Sequence, residues 1–504
     1  MNRFLSTAIA CSAGILSVAS LAPFSLWPLA FVSASFVFFL LEKTRGEPRQ
    51  QVVCAFAYSA TLFGTGASWV YVSIHEFGYA SPGLSLLLTA LFCFGLAATN
   101  TLLLYFYCRL SERLITGFSL QSALLFTVAM TLIELSRSWL YSGFPWLLQG
   151  YALSGTLLQG IAKVLGVYGA SIIIFACSAI IVAALSRKDR KHFLRASAVC
   201  LCLLSISAAL SRFEFSRPIG DERTVSLVQA NISQHDKWRP EWRQKTLAVY
   251  RDLTRRSQLP AQLILWPEAS IPNYLDKAQS ELRAFEEQLE ESDSALIFGI
   301  PSRVQKDQDV EVYNSVSTLG KANGIYHKIH LVPFGEYVPL QNLFGQLMAF
   351  FDLPASSMSA GNNQQAPLSV FDWQTRPLVC YEVVFPDLSA RAAAVSDVLV
   401  TLSNDSWFGR SIGPLQHLQM AQMRAVENER FMLRSTGSGV TAIIDQNGLV
   451  THSAPQFEQA VLQGTFQLRE GQTPWTAYGR WLLYGLLALL TLIAVAPNLK
   501  RDRD

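Results

Sequence analysis

The stretch Arg376–Asp387, RPLVCYEVVFPD, sets one cysteine at the end of a short apolar run. Pro377-Leu378-Val379 is apolar and partly β-branched, so it reads as a buried strand that stops at Cys380. A strand end can present a nucleophile, although a lone cysteine is otherwise a small buried hydrophobe. The other seven cysteines (Cys11, Cys54, Cys93, Cys108, Cys177, Cys200 and Cys202) fall inside long apolar runs, where packing accounts for them. No CxxC pair or Cys/His spacing occurs, so neither a metal site nor a disulfide framework has support.

The surroundings of that stretch divide the chain. With 504 residues, 51% hydrophobic and 15% charged, it is too apolar for one water-soluble unit and long enough for several domains. A net charge of +3 and the lack of Lys/Arg blocks interleaved with aromatics argue against a nucleic-acid partner. Apolar runs near the roughly 20 residues that span a bilayer occur at Phe4–Ala22, Leu26–Leu41, Val52–Ile74, Leu84–Cys108, Ser122–Tyr141, Leu157–Leu185, Leu194–Leu210 and Trp481–Pro497. The sequence therefore predicts a polytopic α-helical membrane domain of eight transmembrane helices.

Lys and Arg gather at Arg3, at Lys43/Arg45/Arg49, at Arg109/Arg113, at Arg187–Lys191 with Arg195, and at Lys500/Arg501/Arg503, whereas the alternate loops carry none. The positive-inside rule then puts both termini in the cytoplasm and the large polar segment outside. The expected organisation is 1–211 with seven helices, 212–478 as an extracytoplasmic domain, and 479–504 with the eighth helix and a tail. Glu134, Arg137 and Lys163 fall within expected spans. Charges there are costly, and they suit either an internal ion pair at i, i+3 or the recognition of a lipid headgroup.

From Thr224 onward, short strands alternate with amphipathic helices. Strands are expected at Val225–Ile232, Leu263–Trp266, Ala295–Ile300, Tyr313–Leu319, Val398–Leu402, Val440–Ile444 and Ala460–Phe466, and helices at Glu241–Gln258, Gln279–Glu291 and Pro414–Phe431. Such alternation argues α/β layers. No GxGxxG or Walker sequence is present, so a nucleotide cofactor has no support, and no cofactor is expected. Glu268 closes LILWPE, a strand stopped by proline, which suggests a carboxylate at a sheet edge. Lys328 lies in YHKIHLVPFGEYVP, with Glu336 eight residues on. A thiol is mostly protonated at neutral pH, so a carboxylate base is needed to supply thiolate for attack on a carbonyl. Glu268 could serve as that base, and the Lys328 ammonium with the backbone N–H of Tyr381 could stabilise the tetrahedral oxyanion.

The polar segment resembles the nitrilase, or carbon-nitrogen hydrolase, superfamily, through WPE at Trp266–Glu268, the lysine of YHKIHLVPFGE at Lys328 and the cysteine of VCYE at Cys380. With the spans that frame it, and with HLVPFGEYVP, CYE and SNDSWFG at Ser403–Gly409, the chain resembles the apolipoprotein N-acyltransferase branch. That resemblance implies a nitrilase-like αββα sandwich outside the bacterial inner membrane, on its periplasmic side. It further implies transfer of a fatty acyl chain from phosphatidylethanolamine or a related phospholipid to the amino terminus of a diacylglyceryl-cysteine apolipoprotein. Cys380 would carry the chain as a thioester, Glu336, Tyr381 and Glu382 would shape the site, and Trp238 of HDKW would belong to a substrate-contacting loop.

Both substrates are membrane lipids, so the site is expected to open toward the outer leaflet. Leu340–Leu353, which contains Phe350 and Phe351, and the tip Trp407-Phe408-Gly409 are apolar enough to form a membrane-touching lid, the alternative for the former being an ordinary core helix. A membrane-anchored amidase with the same triad is a competing reading, disfavoured because an anchor needs one helix. A transport or lipid-binding scaffold with an inactive domain is another, disfavoured because all three triad residues are present.

Overall fold

The computed structural model describes residues 2–115, 117–256, 261–306, 309–340 and 357–501. It divides into two units, one formed by Met1–Tyr71, Pro82–Glu214 and Tyr478–Asp504, the other by Val72–Ser81 and Phe215–Ala477.

The first unit is helical, with long helices at Arg3–Ala19, Pro28–Lys43, Pro48–Gly66, Pro82–Leu114, Leu120–Ser136, Ala162–Ser186, Arg190–Arg212 and Arg480–Arg501. Each overlaps one of the eight apolar runs, but the helix in Val52–Ile74 stops at Gly66, and Leu157–Leu185 opens with a 3₁₀ turn, Leu157–Ile161, before its α-helix. Proline opens Pro28–Lys43 and Pro48–Gly66, where its missing N–H costs nothing. Among the described residues, three helices, Pro82–Leu114, Ala162–Ser186 and Arg190–Arg212, are long and apolar enough to cross a membrane, while Arg3–Ala19, Leu120–Ser136 and Arg480–Ala496 are apolar but shorter. Ala162–Ser186 is mostly enclosed within the unit, whereas Pro82–Leu114 turns Leu86, Leu91, Phe94 and Phe106 outward. An outward apolar face is what a hydrocarbon solvent favours.

The expected fifth span ends at Ser136 instead of Tyr141, because the chain turns into irregular structure that the preceding helix binds through side chains. Glu134 accepts from Gln149 N–H at 2.7 Å and from the Ser171 hydroxyl at 2.5 Å, and it pairs with Arg137 at 3.3 Å. Arg137 donates to the carbonyls of Trp146 and Leu147 at 3.1 and 3.4 Å. Non-helical backbone is tolerated at membrane depth only when its polar groups are satisfied in this way. A Cβ on Gly150 would lie 2.1 Å from the Val167 carbonyl oxygen, so only glycine lets this loop sit against its helix.

The second unit is a four-layer αββα sandwich. Its larger sheet has the order β14-β1-β2-β3-β4-β6, with β1 Ser216–Gln229, β2 Leu263–Leu265, β3 Ala295–Lys306, β4 Asp309–Gly320, β6 Ile325–His327 and β14 Ala460–Gly471. The second sheet has the order β13-β12-β11-β10-β9, with β9 Leu378–Val379, β10 Leu399–Ser403, β11 Met432–Thr436, β12 Ala442–Ile444 and β13 Val450–Ser453. A third sheet joins β5 Ala322–Asn323, β7 Leu368–Val370 and β8 Trp373–Thr375.

Strand alternation assigns the layers. Leu263 and Leu265 of β2, with Ala295 and Ile297 of β3, meet Val379, Val400, Leu402 and Leu433 of the second sheet in the central core. Ile264 and Trp266, with Leu296 and Phe298, face the other way, onto Leu247, Tyr250, Leu282 and Phe285 of the helices Pro240–Arg256 and Gln279–Glu291. The helices Pro386–Ala393 and Gly413–Asn428 supply the fourth layer, the latter almost wholly buried. Trp266 stacks among Tyr250 and Phe285 with centroids 4.8 and 4.9 Å away, so the tryptophan of WPE is a packing anchor that fixes the start of the turn carrying Glu268.

Candidate active site

β1, β2 and β3 are parallel neighbours, as are β9, β10 and β11. The candidate residues follow the carboxyl ends of these strands and of β6. Glu268 lies past β2, Lys328 after β6, Cys380 after β9, and Asn404 after β10. Glu268 stands where its proline-stopped strand ends, as its sequence suggested, and because β2 is an inner strand that end lies in the middle of the sheet.

Cys380 starts a 3₁₀ turn, Cys380–Val384, with φ of +51°, a left-handed conformation unusual for a side chain with a Cβ. The residue is 9% exposed. His417 Nε2 lies 3.2 Å from the Cys380 carbonyl oxygen. The proton affinity of His417 is lowered by burial, then by Arg434, against the pull of Asp405, whose Oδ1 lies 3.0 Å from Nδ1 of the ring. Its Nδ1 is 3.1 Å from an Arg434 guanidinium nitrogen, which also donates to Asp405 Oδ2 at 2.6 Å. The Ser403 hydroxyl donates to Asp405 Oδ1 at 2.7 Å. Burial works against the Asp405 charge, but Arg434, His417 and Ser403 together hold its carboxyl well below the usual carboxylate range.

Glu268 and Glu336 meet around one ammonium and one amide. Lys328 Nζ is 3.4 Å from Glu268 Oε1 and 2.9 Å from Glu336 Oε1, and Asn314 Nδ2 donates to the same two oxygens at 2.7 and 2.8 Å. Glu268 Oε2 accepts the backbone N–H of Asn404 at 2.8 Å, and Glu336 Oε2 that of Val332 at 2.8 Å. Burial disfavours the charge on Lys328, yet Glu336 and Glu268 outweigh it and raise the group above its usual range. Burial also pushes the Cys380 thiol up; Glu268 adds to the rise and Lys328 opposes it. The resting thiol is therefore protonated at neutral pH and needs a base.

Glu382, fully buried, ties the nucleophile turn to the lysine loop. Its Oε2 accepts from Val379 N–H at 2.7 Å, and its Oε1 accepts from Ile329 N–H at 2.6 Å, His330 N–H at 3.1 Å and the Tyr326 hydroxyl at 3.0 Å. The Tyr381 ring is edge-on to Phe385 at 5.1 Å and 6.0 Å from His330.

The structure thus brings Glu268, Lys328, Cys380, Glu336 and Glu382 together, with Tyr381 adjacent in the chain. Trp238 is half exposed at the end of the short helix Gln234–Lys237. Trp407, partly exposed, lies in the 3₁₀ turn Asp405–Phe408, where its carbonyl accepts from the Ser73 hydroxyl at 2.7 Å and its ring meets Phe77 edge-on at 5.4 Å. Arg137 and Lys163 belong to the helical unit; Lys163 is buried and donates to the carbonyls of Phe213 and Ser211 at 2.8 and 3.3 Å. Phe350 and Phe351 lie outside the described residues, as does most of the expected lid.

Sequence reasoning missed Asn314, Lys237 and the Asp405–Arg434–His417 group. HDKW and SNDSWFG pointed to the loops of Lys237 and Asp405, but nothing local marks Asn314 as the amide between two carboxylates.

The carbon-nitrogen hydrolase family profile matches residues 224–473, and that of the apolipoprotein N-acyltransferase N-terminal domain matches residues 13–180. An apolipoprotein N-acyltransferase of Azotobacter vinelandii is 40% identical over 485 residues, covering 96% of this chain and 93% of that one. One of Pseudomonas aeruginosa is 40% identical over 500 residues, covering 98% and 96%. Among solved structures, an amidase from Nesterenkonia sp. aligns at a TM-score of 0.36 with 18% identity, covering 53% of this chain and 98% of that one. With relatives this similar across nearly its whole length, and with both domains of the family matched, this chain belongs to the apolipoprotein N-acyltransferase family.

Proposed function

We propose that this N-acyltransferase moves a fatty acyl chain from a phospholipid, phosphatidylethanolamine in the first instance, to the amino terminus of a diacylglyceryl-cysteine apolipoprotein through a thioester on Cys380. The observation that carries the reading is the left-handed strand-end turn of Cys380 beside the buried Glu268–Lys328–Glu336 cluster. Glu268 takes the thiol proton as sulfur attacks the ester carbonyl. The oxygen that becomes negative is met by the Lys328 ammonium and the Tyr381 backbone N–H. Collapse breaks the ester C–O bond, and the leaving lysophospholipid oxygen receives the proton from Glu268. The acceptor amine then attacks the thioester, Glu268 takes its proton, and an amide and a free thiol result. Glu336 and Asn314 hold Lys328 and Glu268 in register, while Glu382 holds the turn.

In this reading the eight helices all span the bacterial inner membrane, residues 1–211 and 479–504 form the membrane portion, and residues 212–478 lie on the periplasmic side, as the alternation of Lys/Arg loops supports. Trp238, Trp407, Phe350 and Phe351 would contact lipid, and Arg137 or Lys163 would neighbour a donor phosphate.

The test is intact-mass analysis of the full-length protein with phosphatidylethanolamine alone. An acyl adduct is expected on the wild type and none on Cys380→Ala, and a peptide with a free amino-terminal diacylglyceryl cysteine should discharge it. Hydrolysis of the adduct with no acyl chain on the amine would overturn the transferase reading in favour of an amidase.

A further inference from the structure

A second buried ammonium stands at this site and takes no part in the reaction above. Lys237, the last residue of the short helix before Trp238, is 5% exposed, and its Nζ donates to the main-chain carbonyl of Glu268 at 3.3 Å. The same helix holds Glu268 from its other side, because Gln234 Oε1 accepts from Asn404 Nδ2 at 2.8 Å and the Asn404 N–H donates to Glu268 Oε2.

The charge balance gives this lysine a task. Glu268 and Glu336 approach the same Asn314 amide and the same Lys328 ammonium. With Lys328 alone, the buried cluster would carry one uncompensated negative charge, and of two carboxylates sharing a low-dielectric site one tends to take up a proton. A proton held there is one that Glu268 cannot accept from Cys380. We propose that Lys237 is a positioning residue that supplies the second positive charge, so that both carboxylates remain ionised and Glu268 is available as a base. The proposal rests on the reading of Glu268 as the base for Cys380. Among the described residues, the charged or titratable groups that face Glu268 are Lys237 from its helix, Lys328 after β6, Glu336 in the following loop and the thiol of Cys380 after β9. Burial lowers Lys237 and Glu268 opposes the fall, which together leave it at about 8, so the ammonium persists at neutral pH.

The experiment follows the initial rate of adduct formation on Cys380 in the full-length protein, with phosphatidylethanolamine, across about pH 5 to 9. Lys237→Gln keeps a donor for the Glu268 carbonyl and loses only the charge. Its acidic limb should move up by about one pH unit, which is about tenfold slower turnover below the limb, with rates converging on the wild type at alkaline pH. Lys237→Arg should keep the wild-type limb. Lys237→Met lacks the donor as well and should show the same displacement, so it serves as a second variant if Lys237→Gln does not fold. A limb that stays put, or a loss equal at every pH, overturns the proposal and leaves Lys237 a packing residue. A wild type that forms no adduct, or an adduct that survives Cys380→Ala, removes instead the base-and-nucleophile reading, and the proposal with it.

Discussion

Glu382→Gln isolates the clamp between the nucleophile turn and the lysine loop. The wild-type carboxylate accepts from Ile329, His330 and Tyr326 on Oε1 and from Val379 on Oε2. A glutamine keeps one acceptor oxygen. Its cheaper orientation faces that oxygen to Ile329 and His330, with the Tyr326 hydroxyl following, and turns the NH₂ group onto the Val379 N–H. That donor and the amide hydrogens then face each other in a fully buried place. At about 1–3 kcal/mol for each buried orphan, the local cost is about 3 kcal/mol, and each 1.4 kcal/mol is tenfold in an opening equilibrium. Hydrogen exchange at pH 8, followed by mass spectrometry, should show peptides covering 326–332 and 376–385 losing protection by roughly 10²-fold. Adduct formation on Cys380 should fall by a similar factor, because a displaced nucleophile loses its near-attack geometry. Exchange within about threefold of the wild type in both peptides would refute the clamp, whatever happened to activity.

Further outcomes follow from other contacts. A Cβ on Gly299 would lie 2.5 Å from Ala269 N and 2.6 Å from Glu268 Cα, so Gly299→Ala should push the base out of place. Adduct formation should drop by about 10² with little change in circular dichroism. Arg434→Leu leaves Asp405 buried without its guanidinium and should cost about 3–5 kcal/mol, measured as a lowered unfolding midpoint; pairing it with Asp405→Asn should recover part of that loss. Arg137→Gln breaks the contacts to Glu134 and to the Trp146 and Leu147 carbonyls. Lowered thermal stability with an unchanged KM for phospholipid would make Arg137 a brace, and a raised KM would make it a headgroup contact. Burial raises Glu382 to about 7, so the folded domain holds a proton that the unfolded chain releases above about 4.5. Stability from this group should therefore fall as pH rises from about 5 to 7, and Glu382→Gln should flatten that slope in pH-dependent melting curves.

The sequence by itself determined the elements whose surroundings are uniform along one face. The alternation in Leu263–Trp266 and Ala295–Ile300 is visible because every second side chain enters the same core, and most of each apolar run emerges as helix because no polar break interrupts it there. Cys380 at a strand end, Glu268 after a proline-stopped strand and Lys328 with Glu336 were legible for the same local reason. Tertiary structure alone decided the rest. β11, Met432–Thr436, carries Arg434, Ser435 and Thr436 in the centre of a sheet and does not read as a buried strand, since the acceptor that makes burial of Arg434 tolerable, Asp405, is supplied from the end of β10. β1 begins at Ser216, ahead of the expected Val225, because pairing with β14 supplies the hydrogen bonds for a polar ribbon. Asn314 looks like any polar residue in a strand until the fold brings Glu268 and Glu336 to its amide. Periodicity reports how much of a residue is hidden, but the partner that offsets a hidden charge is chosen by strand pairing across the sandwich, and that pairing is not written in any one segment.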